Sequence, residues 1–303
     1  MIAARVAPLL FLLAGACMAV PPAQTAESSG PDPVVETAAT PASLPPIPGP
    51  PPPPATLSGA YEQGGYIRGE APFDTVSATL DGEPLAFDPG DRSFFVGLDR
   101  DAGSVAELVF TARDGQTREH RIDVAPRDWQ IERVNVALRP RANTEEWWKE
   151  REPEWLAIRD ARAKDTGAQG WKQDFVWPVT GRISGRFGRQ RIYRGEPGSY
   201  HSGIDIAPGN GVPFVAPADG VVVLARTGFS LEGGIIIVDH GAGLNSAFIH
   251  LSRLAVNEGD TVRQGQTLGN IGASGRATGP HLHWSLMWRD ARLDPLLFTG
   301  PMP

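Results

Sequence analysis

Short apolar runs alternate with polar residues along most of the chain beyond residue 55. Between residues 56 and 127 these runs are separated by turn-forming pairs, among them Asp81-Gly82 and Asp114-Gly115. Alternation with period two predicts strands with one buried face, and an Asp-Gly pair between two such strands is typical of a hairpin. Turns spaced by ~8–12 residues are typical of small β-sandwiches. We therefore predict an immunoglobulin-like β-sandwich over residues 56–127.

The same pattern of strands and turns returns in the last third of the chain. Its apolar runs read FVWPV, GRISGRFG, VPFVAPADGVVVLA, GGIIIVDHG, NSAFIHLS and HLHWSLMW. Glycines separate these runs, and no long amphipathic helical pattern lies among them. The pattern predicts an antiparallel β domain, curled or sandwich-like, over residues 171–303.

A helical pattern connects these two β regions. The stretch Asn143-Thr-Glu-Glu146 is typical of a helix start, because acidic residues follow a capping residue. Apolar residues then recur at helical spacing from Pro153 to Asp165. Pro153 either interrupts one helix or begins a second, so a break at Glu152 remains open. We predict a helical linker over residues 128–170, and a mainly β fold for the whole chain.

Residues 1–16 have the pattern of a secretory signal. Arg5 precedes an apolar run from Ala7 to Ala16, which is too short to span a membrane. Two processing routes remain open. One is ordinary cleavage after Ala16; the other is lipid attachment to Cys17, since Leu13-Ala-Gly-Ala-Cys17 resembles a bacterial lipobox with its leucine one place too far away. Both routes predict a periplasmic or exported protein, and the second adds a membrane anchor.

Residues 17–55 are rich in proline, alanine, serine and threonine, and end in the sequence PPIPGPPPPPA. Such a composition cannot bury a hydrophobic core and favours extended polyproline II structure. We predict a tether between the signal and the first folded domain.

Net charge and cysteine content exclude several kinds of partner and metal site. The formal net charge of −7 argues against a nucleic-acid partner. Cys17 is the only cysteine, so neither an internal disulfide nor a cysteine-ligated zinc site can form. Any metal site must therefore use histidine and carboxylate ligands.

Histidines cluster in the C-terminal β region. His201 precedes Asp205 by four positions, and His281 and His283 lie two apart on a predicted strand, on one face of it. One of that pair can bind a metal ion while the other faces the ion's water. His250 lies on another predicted strand. Zinc accepts imidazole and carboxylate ligands and keeps one position for water in catalytic sites, so the cluster predicts a zinc site with additional imidazoles beside it.

Other polar residues of this region are weaker candidates for a role in catalysis or substrate binding. His240 ends an apolar strand at a glycine turn, and we predict a structural role for it. Two tyrosines and three arginines lie in the segment before Asp205, and for these residues substrate contact and solvent exposure both remain open. They are Tyr193, Tyr200, Arg186, Arg189 and Arg191.

The segment from about residue 175 to residue 298 resembles the LytM/lysostaphin-type zinc metallopeptidases, which cut peptidoglycan peptides. The motifs HSGIDIAPGNGVPFVAPADGVV, IIIVDHGAGLNSAFIHLS and GDTVRQGQTLGNIGASGRATGPHLHW carry the resemblance, in the family's order and spacing. The resemblance implies a peptidase fold of the duplicated hybrid motif type. It implies that one zinc ion is held by His201, Asp205 and His283. It also implies that His281 and His250 are the catalytic pair flanking the bound water.

Two functions follow from this resemblance. The first is an exported zinc metalloendopeptidase that hydrolyses peptide bonds of peptidoglycan stems or cross-links, with the D-alanyl to meso-diaminopimelate bond as the leading choice. The second is a non-catalytic LytM-type activator of cell-wall amidases, a role found in relatives that lack zinc ligands. The complete ligand set favours the enzyme. Residues 56–127 would then be a spacer or bind a cell-wall partner. In this family the upstream region can cover the groove, and residues 128–200 are placed to do so here.

Overall fold

The computed structural model describes residues 55–137 and 144–303. The predicted signal, Cys17 and all of the tether except Ala55 lie outside these ranges. Within them the chain folds into twenty strands and two α-helices, so the predicted mainly β fold is confirmed. Among the helices of these ranges, none has both the length and the apolar character of a membrane span.

Residues 56–123 form two antiparallel sheets. The first has the order β1-β2-β5, from Thr56–Ala60, Tyr66–Glu70 and Ser93–Gly97. The second has the order β4-β3-β6-β7, from Glu83–Leu85, Thr75–Leu80, Val105–Ala112 and Thr117–Asp123. Both hairpins predicted at Asp-Gly pairs are confirmed. The rings of Phe94 and Phe110 are 5.6 Å apart, so the two sheets share a core. The immunoglobulin type of this sandwich stays a prediction.

A short strand and one long helix follow. Strand β8 (Ile131–Val134) pairs in parallel with β10 (Gln190–Tyr193), and β10 pairs with β11 (Glu196–Pro197). Helix α1 (Glu145–Arg162) is capped by the Thr144 side chain, which accepts a hydrogen bond from the Trp147 N–H. The helix continues through Pro153, so the chain does not break at Glu152.

The C-terminal sheet has ten strands, seven of them in the order β17-β14-β15-β16-β19-β12-β9. Its central strands β15 and β16 are buried along most of their length, and the apolar run Ile235–Val238 of β15 agrees with burial on both faces of the sheet. The strands of this sheet are β9 Arg182–Gly185, β12 Ile204–Ala207, β13 Pro213–Val215, β14 Gly220–Phe229, β15 Gly233–Gly241, β16 Leu244–Leu254, β17 Thr261–Val262, β18 Thr267–Ile271, β19 Leu282–Trp288 and β20 Ala291–Leu293. A short helix α2 (Leu296–Thr299) follows.

One hydrophobic core joins the N-terminal sheets to the C-terminal sheet. The ring of Tyr66 stacks on Phe298 with centroids 4.2 Å apart, and Phe95 lies 6.3 Å from Trp288. A Cβ at Gly97 would approach the Trp288 Cβ to 2.8 Å, so glycine permits this close packing. The strands that carry the histidine cluster therefore lie in a sheet that is supported on one side by the upstream sheets.

Candidate metal centre

Two neighbouring strands bring the predicted metal ligands together. Strands β12 and β19 are antiparallel, and Asp205 lies directly opposite His283 in their register. His201 precedes β12, where its backbone N–H donates to the Arg189 carbonyl and its carbonyl accepts from the Gly188 N–H, both at 2.9 Å. These bonds hold the backbone of His201 where its side chain reaches Asp205.

The three side chains converge on one point. The Asp205 Oδ1 atom lies 3.0 Å from His201 Nε2 and 2.9 Å from His283 Nδ1. His201 Nε2 and His283 Nδ1 are themselves 3.0 Å apart. One ligand atom from each side chain lies within 4.8 Å of the others, and within the described ranges these are the residues that form such a group. Two imidazole nitrogens and a carboxylate oxygen are usual zinc ligands.

Charge and burial suit a cation at this point. Burial raises the pKa of the Asp205 carboxyl, but the hydrogen bonds to His201 and His283 outweigh it and hold that pKa well below the usual range. Burial lowers the pKa of His283, which favours its neutral form. For His201, burial is the largest single influence and lowers the pKa, but the hydrogen bond and the charge of Asp205, together with the bond to the Arg186 carbonyl, outweigh it, so the net direction is upward. The group thus combines an anionic carboxylate with imidazoles.

His281 and His250 lie beside this group. The Nδ1 atom of His281 is 2.8 Å from the Gly279 carbonyl, and that of His250 is 2.9 Å from the Ser274 carbonyl. Because a carbonyl can only accept, each Nδ1 carries a hydrogen and each neutral ring keeps Nε2 as an acceptor. The two rings are 4.8 Å apart, and His281 Nε2 lies 3.6 Å from Asp205 Oδ1. The structure therefore brings all five predicted site residues together.

The backbone at His250 has a feature that its sequence context does not signal. Its φ is 68°, a left-handed value that is uncommon for a residue other than glycine. The His250 N–H donates to the Glu232 carbonyl at 2.9 Å, and the Ser274 hydroxyl donates to the Leu251 carbonyl at 2.8 Å. Gly233 allows this arrangement, because a side chain there would overlap Ser274. Ser274 and Glu232 therefore support the site, and their sequence context does not predict this role.

A groove of about 580 Å³ runs over the histidine cluster. Next to it, a cavity of about 390 Å³ is lined by the two tyrosines and three arginines that precede Asp205. Arg191 forms an ion pair of 2.8 Å with Glu132, and Arg189 lies 3.6 Å from the same carboxylate. Tyr200 packs under the Arg100 guanidinium, whose Cζ is 4.4 Å from the ring centroid. The segment before Asp205 is thus held by upstream residues.

His240 takes no part in the cluster. Its ring is fully buried, with Nδ1 2.8 Å from the Asp219 carbonyl and Nε2 2.8 Å from the Ser246 hydroxyl. Both nitrogens are occupied by hydrogen bonds within the core. The predicted structural role of His240 is confirmed.

Comparison with known proteins agrees with this geometry. Residues 199–295 match the model of Peptidase family M23. The Peptidoglycan DD-endopeptidase ShyA of Vibrio cholerae is 35% identical over 138 residues, which is 44% of this chain and 30% of that protein. The Lipoprotein NlpD/LppB homolog of Pseudomonas aeruginosa is 34% identical over 129 residues, which is 43% of this chain and 39% of that protein. The chain therefore covers well under half the length of these relatives.

A solved structure extends the likeness beyond the matched segment. The crystal structure assigned to a peptidase M23 from Pseudomonas aeruginosa superposes with a TM-score of 0.60 at 29% identity, and the match covers 79% of this chain and 95% of that one. The shared fold thus includes regions upstream of residue 199. From the matched segment, the histidine cluster and this fold, we conclude that the chain carries a peptidase family M23 domain of the LytM type.

Proposed function

We propose that this chain is an exported zinc metalloendopeptidase that hydrolyses peptide bonds in the stems or cross-links of peptidoglycan. The observation that carries the proposal is the convergence of His201, Asp205 and His283 within 4.8 Å, with two more imidazoles beside them. The relative named as a peptidoglycan DD-endopeptidase supports the substrate class. Its name also favours the D-alanyl to meso-diaminopimelate cross-link.

The donor set fits one zinc ion held by His201, Asp205 and His283. Three protein ligands leave a fourth position, which is the arrangement of catalytic zinc sites. The His201 Nδ1 lies 3.1 Å from the Arg186 carbonyl, and this outer contact points Nε2 towards the shared centre. When bound, zinc would polarise the substrate carbonyl and lower the pKa of water to about 7.

The two remaining imidazoles handle protons and charge in this proposal. The Nε2 atom of His281 is nearer to the ligand group and suits acceptance of the proton that the attacking water releases. His250 suits stabilisation of the negative charge that develops on the carbonyl oxygen when its ring is doubly protonated, because the Nδ1 hydrogen is donated to the Ser274 carbonyl and a second hydrogen is then available on Nε2. Each ring is oriented by its Nδ1 contact to a backbone carbonyl, so neither needs to rotate for the reaction.

Export is supported by the signal pattern of residues 1–16 and by the match to a lipoprotein homologue. We propose a periplasmic or exported location. Lipid attachment at Cys17 and a cell-wall partner for residues 56–127 stay predictions.

One observation favours a second candidate, the amidase activator. The lipoprotein NlpD/LppB homologue matches almost as well as the endopeptidase. In the LytM-type family, activators of this kind have lost zinc ligands. Here the full set of two histidines and one aspartate is retained, and this favours the enzyme.

The test is digestion of purified peptidoglycan by the wild type and by a His281→Ala variant, with His120→Ala as a control on a distant strand. We expect the wild type and the control to convert cross-linked muropeptides into monomers, and His281→Ala to lose at least about a hundredfold in rate. A zinc-loaded wild type that cleaves nothing, yet stimulates a purified cell-wall amidase, would favour the activator instead.

A further inference from the structure

A second cleft, of about 740 Å³, lies beside the groove of the histidine cluster. Helix α1 lines it on one side, and the turn between β19 and β20 lines it on another. Ser202 and Arg292 line both the groove and this cleft, which we call the α1 cleft. Because Ser202 directly follows His201, an extended peptide that crosses the histidine cluster can continue into the α1 cleft.

Positive charge dominates the α1 cleft, although the chain as a whole has a net charge of −7. Five cationic residues line it, against Asp165 and Asp290. The cationic residues are Arg159, Arg162, Lys164, Arg289 and Arg292. Arg159 is paired with Asp160 at 2.7 Å. By contrast, neither Arg162 nor Arg292 has a carboxylate within 4 Å among the residues that the structure describes.

One hydrogen bond to a buried residue fixes the Arg162 guanidinium, and its other N–H donors are available to a ligand. It lies in the last turn of α1, where its Nη1 donates to the Asn245 Oδ1 at 2.6 Å. Asn245 is itself buried in β16. A guanidinium has five N–H donors, so this one bond leaves most of them available to a ligand.

The surroundings make an unpaired charge at Arg162 unfavourable. Burial, together with the nearby charge of Arg292, lowers the pKa of Arg162 to about 10, and Glu232 opposes this shift. Glu232 is already bound by both terminal nitrogens of Arg151, at 2.7 and 2.8 Å. An anion between Arg162 and Arg292 would offset their repulsion and compensate the desolvated guanidinium.

Arg292 and the apolar walls complete the site. The backbone of Arg292 is fixed, because its N–H donates to Asp99 Oδ2 at 2.8 Å, and its guanidinium Cζ lies 5.3 Å from the Tyr200 ring centroid. Trp155, Ile158 and Met287 supply apolar surface in the same cleft. A carboxylate beside a small aliphatic side chain matches this combination of a guanidinium pair and apolar walls.

We propose that Arg162 and Arg292 bind a free carboxylate of the peptide whose scissile bond lies at the histidine cluster. This proposal rests on the proposed peptidase function and assigns part of its substrate selection. The ligand class is a peptide with a free carboxylate adjoining a small aliphatic residue, such as a D-alanine terminus. Arg162 lies outside the segment that matches the peptidase family, so the upstream helix would help to choose the substrate.

The test uses short synthetic cross-link peptides as free acids and as carboxamides. One carboxamide replaces the C-terminal carboxylate, and a second replaces the α-carboxylate of diaminopimelate. Comparing the two shows which carboxylate of the substrate the arginines bind. We expect the zinc-loaded wild type to prefer the free acid over one of these amides by about tenfold to a hundredfold in kcat/KM, mainly through KM. Arg162→Gln and Arg292→Gln should each lose most of this preference.

Arg159→Gln is the matched control, because this residue lines the same cleft but already has a carboxylate partner. It should retain the preference of the wild type. If Arg162→Gln lowered kcat/KM equally for the acid and the amide, the proposal would be overturned. A purely structural effect would lower both values alike, because it does not depend on the substrate carboxylate. The exposed Arg292 provides a second variant in case Arg162→Gln folds poorly.

A binding measurement separates this proposal from the peptidase itself. If the wild type cleaves neither peptide, the peptidase function fails, and calorimetric titration of the same acid and amide then decides the carboxylate site. Binding of the acid about tenfold tighter than the amide, abolished in both arginine variants, would support the site. Equal binding of the two peptides, or no binding of either, would reject it.

Discussion

His240 and His250 are both buried histidines of the C-terminal sheet, but their hydrogen bonds differ. His240 uses both ring nitrogens inside the core, with the Asp219 carbonyl and the Ser246 hydroxyl. His250 uses only Nδ1 in a hydrogen bond, to the Ser274 carbonyl, and lines the groove. An imidazole whose two nitrogens are both committed cannot transfer protons to a substrate. Hydrogen bonding therefore assigns one ring to the core and leaves the other available for chemistry.

The stability of the protein should depend on pH through His240. Burial lowers the pKa of this ring from 6.5 to about 4, although Asp219 and Asp239 nearby act in the opposite direction. Between these two values the unfolded chain binds a proton that the folded chain does not, so stability falls as the pH decreases from 6.5 to about 4. The contribution is about 3 kcal/mol. Urea denaturation should show this loss in the wild type, and a His240→Gln variant should show a correspondingly flatter profile over the same pH range.

Gly185 controls the position of the Asp205 carboxylate. A side chain at Gly185 would overlap the Asp205 Oδ2 atom and approach the His201 Cε1 to 3.1 Å. We expect Gly185→Ala to displace the carboxylate and weaken zinc binding by about tenfold to a hundredfold. Gly279→Ala is the matched control, because its Cβ would enter open space. Competition with a chromogenic chelator measures both affinities, and equal affinity in the two variants would contradict this role of Gly185.

Four of the five site residues could be predicted to form a metal site, because they lie in two short motifs whose spacing has a chemical meaning. The role of His250, and the division of the five into ligands and catalytic residues, came from the family resemblance. His201 and Asp205 are separated by four positions, and His281 and His283 by two. The left-handed backbone of His250 could not be predicted. It depends on the Glu232 carbonyl and on close packing at Gly233, which are contacts between loops distant from it along the chain.

Helix α1 is joined to the loop that supports His250. Both terminal nitrogens of Arg151 bind the Glu232 carboxylate, at 2.7 and 2.8 Å. Glu154 accepts from the backbone N–H and the hydroxyl of Ser230, both at 2.6 Å. Since the Glu232 carbonyl also accepts the His250 N–H, the helix supports a residue of the proposed catalytic pair.

Replacing Arg151 should therefore lower the stability of the protein. Arg151→Met leaves the largely buried Glu232 carboxylate without its partner, and we expect a loss of about 3 kcal/mol in the free energy of unfolding. Lys149→Met on the same helix removes an exposed pair with Glu145 and should cost less than about 0.5 kcal/mol. Replacing Arg151 and Glu232 together should cost less than Arg151→Met alone, because the Glu232 carboxylate is then no longer left unpaired, while Glu154, the other partner of Arg151, keeps its hydrogen bonds to Ser230. Losses of the same size in the two single variants would disprove this account of the helix.

Elements defined by local chemistry were predictable, and elements defined by distant pairing were not. The hairpins at Asp81-Gly82 and Asp114-Gly115 form as expected, because the turn chemistry is contained in those pairs. Strands β8 and β10 have the mixed sequences IERV and QRIY, which do not predict that these two distant segments pair in parallel. Helix α1 continues through Pro153, and its following turns pack against the C-terminal sheet through Ala157 and Ala161, a contact that the local sequence does not report.

At the scale of the whole molecule, the upstream sheets and the C-terminal sheet share one hydrophobic core. The alternation of apolar residues reports that a strand face is buried, but it does not report what covers that face. For this reason the sequence predicts separate β regions and does not predict that Phe95 and Tyr66 pack on Trp288 and Phe298. The domain boundaries at residues 56, 128 and 171 stay predictions.

A shared core should make unfolding cooperative. We expect tryptophan fluorescence and far-ultraviolet circular dichroism to report a single, coincident urea transition for residues 55–303. Phe298→Ala, which empties a position between the two regions, should shift the whole transition and cost about 3 kcal/mol or more. Two separate transitions, with only one of them moved by Phe298→Ala, would show that the regions unfold independently.

The most direct test of the central claim is the zinc content of purified protein, measured together with peptidoglycan cleavage. We expect about one zinc per chain in the wild type and in His281→Ala, and a strong loss of zinc in His201→Ala, Asp205→Ala and His283→Ala. Only the wild type should cleave cross-links. Full zinc occupancy in the three ligand variants, or undiminished cleavage by His281→Ala, would contradict the assignment of the metal ligands and of the catalytic imidazole.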